Sequence, residues 1–185
     1  MIVLSRKSLI ASFRAIFLVP LAAGCFSTAV PEDGQPLAAN ASHLTARCVT
    51  PEDAGRMADQ VLQLLNLERA EHDLQPVVVN RLLTKIAETY SCRLVEGKFF
   101  GHRDPITGYG PADRAITGKY TFYAVGENLA AGPDSAGGVM KVWMESPSHR
   151  RIILDPIWKD VGIAVRAGGE HSIYWVLEFG DPAGF

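Results

Sequence analysis

The sequence lacks an excess of charge of either sign, and it lacks the motif of a common hydrolase class. Its 18 basic and 20 acidic side chains give a net charge of -2, which leaves no basic footprint for nucleic acid. No G-x-S-x-G motif is present, so the nucleophile elbow of α/β hydrolases is excluded. Apolar residues make up 48% of the chain and charged residues 21%, which is typical of a globular protein with a proper core.

The N-terminus has the composition of a secretory signal. Arg6, Lys7 and Arg14 are the only charged residues in this segment, and residues 15–23 form the apolar run A-I-F-L-V-P-L-A-A. This run is too short to span a bilayer as a helix. We therefore expect residues 1–24 to be a lipoprotein-type signal peptide. Its removal leaves 15 basic and 20 acidic side chains, and this acidic balance further disfavours polyanionic partners.

The end of that signal predicts a membrane anchor. Residues 21–25 read L-A-A-G-C and resemble a bacterial lipobox, in which cleavage occurs before the cysteine and the cysteine carries lipid. On this interpretation residues 25–49 are the lipidated Cys25 and a flexible tether rich in small residues and proline. The alternative is plain secretion of a soluble extracytoplasmic or periplasmic protein, with Cys25 an ordinary residue.

The sequence has only three cysteines. If Cys25 takes lipid, Cys48 and Cys92 remain in an oxidising compartment, where a disulfide persists. An antiparallel pair of the first two helices would put residue 51 about 34 Å and Cys92 about 18 Å from the turn. A disulfide then requires the segment before residue 51 to fold back toward Cys92. The sequence therefore does not decide between a disulfide and two free thiols.

Hydrophobic periodicity predicts a single domain over residues 50–185 that is helical at first and ends in a β-hairpin. Thr50 and Asn80 are the expected N-caps of the first two helices. The order of elements indicates an α+β fold with a small antiparallel sheet. The predicted helices cover 51–73, 80–97, 111–117, 134–145 and 147–154, and the predicted strands cover 121–126, 161–166 and 172–179.

Polar side chains at the ends of these elements are the candidate site. His102 follows the second helix, Glu127 follows the first strand, and Glu145 and His149 flank S-P-S between two helices. Imidazoles with carboxylates bind divalent cations or act in general acid–base catalysis. The alternative is structural, since such side chains also cap helices and pin loops. Ser146, three residues before His149, is best explained as an N-cap before a proline.

Eight motifs, taken together and in order, resemble one family. They are L-L-N-L-E-R (64–69), N-R-L-L-T-K-I-A-E-T-Y (80–90), F-F-G-H, P-A-D-R, G-E-N-L-A, V-W-M-E-S-P-S-H-R-R-I-I-L, V-G-I-A-V and Y-W-V-L-E-F-G. Over about residues 57–181 the chain resembles the bacterial branch of the CAP superfamily, or SCP domain, which includes cysteine-rich secretory proteins, venom antigens and plant pathogenesis-related proteins. No cysteine follows Cys92 in this sequence, whereas the eukaryotic secreted members carry a cysteine-rich tail.

The resemblance implies a three-layer α-β-α sandwich and an extracytoplasmic protein. It also implies a shallow cavity lined by two histidines and two acids. His102 and His149 match the two histidines and Glu127 matches the G-E-N glutamate. The second acid follows the tryptophan in many members, which points to Glu145, two positions after Trp143.

Family members are linked to divalent-metal binding, to sterol or fatty-acid binding and in a few cases to proteolysis. We therefore expect a lipid-anchored binding module, held at the membrane through Cys25. Its cavity would bind zinc or another divalent cation, an envelope lipid or small apolar ligand, or another protein. Glu127 would ligate the metal or orient one imidazole. The alternative is a metal-assisted hydrolase or peptidase with Glu127 or Glu145 as general base.

Overall fold

The computed structural model describes residues 47–184, and the predicted signal peptide, Cys25 and most of the tether lie outside this range. Nine elements of secondary structure are found within it. In chain order they are α1 (Ala54–Ala70), β1 (Val78–Val79), α2 (Arg81–Gly97), α3 (Pro111–Thr117), β2 (Phe122–Ala131), α4 (Ala136–Glu145), α5 (Pro147–Ile153), β3 (Asp160–Ala167) and β4 (Ile173–Pro182). Within residues 47–184, no helix is long and apolar enough to cross a membrane.

The four strands form one sheet in the order β1-β3-β4-β2. β3 and β4 form the predicted antiparallel hairpin, and β2 pairs antiparallel with β4 at the edge of the sheet. β1 contributes two residues that pair parallel to the start of β3. The sequence pattern did not predict β1, because two exposed valines do not form a recognisable alternation.

Helices cover both faces of the sheet, which confirms the α-β-α sandwich. On one face α1, α4 and α5 pack over a core that includes the fully buried Trp143 and Trp175. On the other face α2 packs over β3 and β4. The approach of α2 is close at Gly162, where a Cβ atom would lie 2.1 Å from the backbone carbon of Leu83. Glycine at this position of β3 therefore lets the helix rest directly on the sheet.

The N-caps of α2 and α1 differ in whether the sequence predicts them correctly. Asn80 caps α2 as predicted, since its side chain accepts a 2.9 Å hydrogen bond from the backbone N–H of Leu82. The prediction for α1 was wrong by one turn, because Asp53 and not Thr50 is the N-cap residue. Pro51 precedes the helix in a turn closed by a bond from Ala54 N–H to the Pro51 carbonyl.

The predicted strand at 121–126 is longer in the structure and continues to Ala131. Pairing with β4 carries it through Glu127 and Asn128, two residue types that disfavour strands on their own. Glu127 therefore lies inside an edge strand and not in the loop that follows it.

Cys48 and Cys92 form a disulfide in the structure, with their Cα atoms 5.1 Å apart. The antiparallel pairing of α1 and α2 considered from the sequence is wrong, because the two helices pack on opposite faces of the sheet. Val49 instead pairs with Ala167 at the end of β3, which brings Cys48 to the second half of α2. Residues 47–49, assigned to the tether from the sequence, thus belong to the domain.

Candidate functional site

Two buried carboxylates lie side by side on the central sheet. Glu127 on β2 and Glu178 on β4 are direct partners in the antiparallel register. Their side chains are only 1% and 2% exposed. Burial, reinforced by the negative charge of Glu127, raises the pKa of Glu178 well above its ordinary value. Burial therefore favours the protonated form of Glu178, and Glu127 is the member of the pair that contacts a cation directly.

Arg114 on α3 supplies that cation. One guanidinium nitrogen donates to Glu127 Oε2 and lies 3.6 Å from Glu178 Oε1. The other terminal nitrogen donates to the backbone carbonyls of His102 and Tyr109, at 3.0 and 3.2 Å. One side chain thus joins both carboxylates to the loop that carries His102.

His102 is positioned by the loop that follows α2. The Tyr90 hydroxyl donates to the Gly101 carbonyl at 2.5 Å, and Arg93 Nε donates to Asp104 Oδ2 at 2.5 Å. Between these anchors the His102 ring is 55% exposed and its Nδ1 lies 2.7 Å from Glu127 Oε1. The hydrogen bond to Glu127 is the main cause that raises the pKa of His102 above 6.5. This bond places the proton on Nδ1 and leaves Nε2 as the ring nitrogen available to a ligand.

His149 approaches from α5, on the other side of the same edge strand. Asn128, which follows Glu127 and faces the opposite side of β2, donates its amide to the His149 carbonyl at 3.1 Å. Burial, together with the charge of His102, lowers the pKa of His149 below 6.5. Its Nδ1 atom is buried and has no hydrogen-bond partner within residues 47–184. His149 therefore presents a neutral imidazole close to the positive charge that His102 can carry.

The structure does not bring the fourth predicted residue to this cluster. Glu145 ends α4 with its side chain 67% exposed, and its carboxylate lies 3.8 Å from Lys141 Nζ one turn earlier in the helix. The second acid beside His102 and Glu127 is Glu178. Neither Glu178 nor Arg114 was identified from the sequence as a site residue. The available signal was the charge of Glu178 within the apolar run of β4, on the face of the strand that also carries Tyr174 and Val176.

The donor set limits how this cluster can hold a metal. Within residues 47–184, no group of three or more acidic, histidine or cysteine side chains is arranged around a common metal position. Both Glu127 oxygens are engaged, one by His102 and the other by Arg114. Neutral imidazole nitrogens are suitable ligands for zinc, and a histidine ligand commonly donates its other ring N–H to a carboxylate. His102 and His149 are therefore the candidate metal ligands, and Glu127 is the candidate group that orients His102.

Comparison with known proteins agrees with this architecture. The model of the cysteine-rich secretory protein family, CAP, matches residues 62–179. The uncharacterized protein YkwD of Bacillus subtilis is 29% identical over 129 residues, which are 70% of this chain and 49% of YkwD. The uncharacterized membrane protein YlbC of the same organism is 26% identical over 106 residues, which are 57% of this chain and 30% of YlbC. The chain thus spans half or less of the length of these relatives.

Two solved structures share the fold. An extracellular protein from Bacillus anthracis that contains an SCP domain superposes with a TM-score of 0.61 at 24% identity, over 69% of this chain and 41% of that protein. An outer surface protein from Borrelia burgdorferi superposes with a TM-score of 0.65 at 20% identity, over 75% of this chain and 99% of that protein.

Proposed function

Because the chain belongs to the cysteine-rich secretory protein (CAP) family, we propose that it is an extracytoplasmic binding module. The imidazoles of His102 and His149 take a divalent cation, and zinc matches two imidazole ligands best. The extracellular and outer-surface relatives support this location. The metal would supply a point for attachment of a further ligand at its open coordination positions.

The observation that carries the proposal is the 2.7 Å contact between His102 Nδ1 and Glu127 Oε1. A buried carboxylate that accepts one ring N–H fixes the tautomer and orientation of the imidazole and makes the other nitrogen a better donor to metal. The unpartnered Nδ1 of His149 adds a second nitrogen in need of a partner.

The engagement of Glu127 favours a binding module over a hydrolase. A general base has to reach a water molecule with a free carboxylate oxygen. Both Glu127 oxygens already accept hydrogen bonds, and Glu145 is exposed and paired with Lys141. Each of the two carboxylates considered as bases is thus already engaged by another side chain.

A groove beside the cluster supports a second, apolar ligand. It has a volume of about 750 Å³ and lies between α2, α3 and the loop 104–109. Leu82, Ile86 and Tyr109 supply apolar lining, and Tyr90 and Arg114 belong both to the groove and to the contacts of the cluster. The size and lining are typical of a pocket for a small molecule, which fits a lipid of the cell envelope.

Lipidation of Cys25 completes the proposal. The motif L-A-A-G-C supports attachment of lipid at this residue, which would hold the domain at a membrane surface. Labelling of cells with a radioactive fatty acid tests the anchor. The label should appear in the protein and be absent from Cys25→Ala, while a soluble, unlabelled wild-type protein would contradict lipidation.

Calorimetry with zinc chloride tests the metal site. The metal-free protein should bind zinc, and His102→Ala or His149→Ala should weaken binding by about tenfold or more, because each removes one of two ligands. His171→Ala is the matched control, since His171 is exposed on the hairpin between β3 and β4. Unchanged zinc affinity in both His102→Ala and His149→Ala would refute the metal site.

A fluorescent apolar probe such as anilinonaphthalene sulfonate tests the groove. Its fluorescence should rise on binding, and Leu82→Glu should abolish the rise because it puts a charge in the apolar lining. Leu67→Glu is the matched control, since Leu67 is an exposed leucine on α1 outside the groove. Equal fluorescence in the two variants would refute this ligand site.

A further inference from the structure

The loop between α2 and α3 holds an isoleucine in water on a rigid support. Ile106 is 79% exposed, the largest exposed fraction among the large apolar side chains of residues 47–184. Its backbone N–H donates to Asp104 Oδ1 at 2.8 Å, and Arg93 donates to the other oxygen of that buried carboxylate. The Gly108 N–H donates to the Asp104 carbonyl at 2.8 Å and closes the loop. The position of Ile106 is therefore fixed by hydrogen bonds to its neighbours.

Apolar and basic side chains lie together beside this loop. The groove between α2, α3 and the loop has a rim that we define by Leu82, Lys85, Thr107 and Tyr109. Leu82 and Tyr109 are both exposed, and so is the side chain of Lys85. Thr107 follows Ile106 directly in the chain and joins the loop to the rim. Ile106 therefore extends an exposed surface that is both apolar and cationic.

The helices on the two faces of the sheet differ in the sign of their charge. Residues 81–119, which include α2 and α3, carry seven basic and four acidic side chains. Residues 51–73, which include α1 on the opposite face, carry two basic and six acidic side chains. A net positive surface with exposed apolar side chains matches an anionic lipid bilayer, because cations attract the headgroups and apolar side chains enter the interface. The acidic α1 face is repelled by the same bilayer.

The chain also enters the domain at the groove. Cys48 is bridged to Cys92 on α2, and both Thr50 and Cys92 line the groove. A lipid on Cys25 would thus be joined to the domain through a segment that is covalently attached at α2. This link alone rests on the proposed function, since the charge and the exposed side chains do not depend on an anchor.

We propose that the loop 104–109 and the rim of the groove dock on an anionic lipid bilayer, with Ile106 inserted between the headgroups. Tyr109 suits the interface, because its ring is apolar and its hydroxyl is polar. In this orientation the groove opens toward the bilayer. An apolar ligand then passes between the bilayer and the groove without crossing bulk water.

Tryptophan fluorescence on vesicles with brominated acyl chains tests the docking. The full chain with Ile106→Trp is added to vesicles of phosphatidylglycerol and phosphatidylethanolamine. Its fluorescence should be quenched, because an interfacial side chain reaches about 5–10 Å into the boundary between headgroups and acyl chains. Leu67→Trp is the matched control, since Leu67 is exposed on α1, and it should not be quenched. The wild type supplies the background from the buried Trp143, Trp158 and Trp175.

Equal quenching of Ile106→Trp and Leu67→Trp, or quenching of neither, would overturn the inference. Quenching of Ile106→Trp should also fall when phosphatidylcholine replaces phosphatidylglycerol. It should fall again at about 1 M salt, where the screening length is about 3 Å. Undiminished quenching on the neutral vesicles and at high salt would overturn the choice of an anionic bilayer as the partner.

The result is separable from that of the proposed anchor. If the radioactive fatty acid does not label the protein and Ile106→Trp is quenched, the anchor at Cys25 fails while the docking surface stands. If Cys25 carries the label and Ile106→Trp is not quenched, the docking surface fails while the anchor stands.

Discussion

The imidazole of His102 and the carboxylate of Glu127 share a 2.7 Å hydrogen bond across 25 residues of sequence. Glu127 is the fixed member, because its strand is paired along its length with β4 and its side chain is 1% exposed. His102 is more than half exposed and sits on a loop. The buried carboxylate therefore sets the orientation of the accessible ring.

Glu127→Gln should lower the pKa of His102 in the metal-free protein. The hydrogen bond to Glu127 raises that pKa above 6.5, so the pair stabilises the fold fully below about pH 6.5. The stabilisation is lost as the pH rises through the folded-state pKa. NMR titration of the His102 ring protons measures the shift, with Glu145→Gln as the control. An unchanged His102 pKa in Glu127→Gln would show that the bond is absent in solution.

Glu178→Gln should flatten the dependence of stability on pH. The folded-state pKa of Glu178 is raised above 4.5, so burial favours its protonated form. Wild-type stability is therefore expected to fall as the pH rises from about 4.5 through that folded-state pKa, because ionisation of Glu178 opposes folding. Melting temperatures measured across this range should decline less in Glu178→Gln. An identical decline in the two proteins would assign the pH dependence to other groups.

Loss of the Cys48–Cys92 disulfide should cost about 4 kcal/mol of the free energy of unfolding, because the bridge closes a long loop in the unfolded chain. The cysteines are separated by 44 positions. Urea unfolding of Cys48→Ser, Cys92→Ser and the double variant measures this cost, and wild type with a reducing agent provides the comparison. The three variants should be equally destabilised. A double variant with a much lower free energy of unfolding than either single variant would show that the cysteines act independently.

Gly162→Ala should destabilise the fold by about 1–3 kcal/mol, because its new methyl group overlaps the backbone of α2. Gly137→Ala is the matched control, since a Cβ atom there meets nothing within 4 Å and the residue lies in α4. The control should be neutral or slightly stabilising. Thermal unfolding of both variants checks the difference, and equal stability would mean that α2 can move off the sheet at little cost.

The sequence predicted correctly those helix boundaries that depend on residues close to one another in the chain. Asn80 was identified as the cap of α2 because its side chain bonds to N–H groups only two and three residues away. Thr50 is not the N-cap of α1, because the chain forms a turn at Pro51 and the helix begins only after Asp53. The α-β-α arrangement was predicted from the ordered family motifs, which carry tertiary information that periodicity lacks.

The centre of the site depends on contacts between distant residues. Glu178 meets Glu127 only through the β2–β4 register, and no spacing in the sequence reports that pairing. Arg114 reaches both carboxylates because α3 packs beside the edge strand. Glu145 follows Trp143 in sequence, yet it ends its helix facing solvent. Proximity to Trp143 in the sequence therefore did not identify the second acid of the cluster.

In the proposed site His102 and His149 hold a metal while the carboxylate of Glu127 keeps a proton on His102 Nδ1. Long-range nitrogen–proton NMR spectra of the uniformly ¹⁵N-labelled protein, recorded before and after addition of zinc chloride, report on each ring nitrogen of this site. We expect the resonance of His102 Nε2 to shift on coordination, His102 Nδ1 to stay protonated, and one ring nitrogen of His149 to shift at the same zinc concentration. Spectra in which neither imidazole responds to zinc would contradict the proposed site.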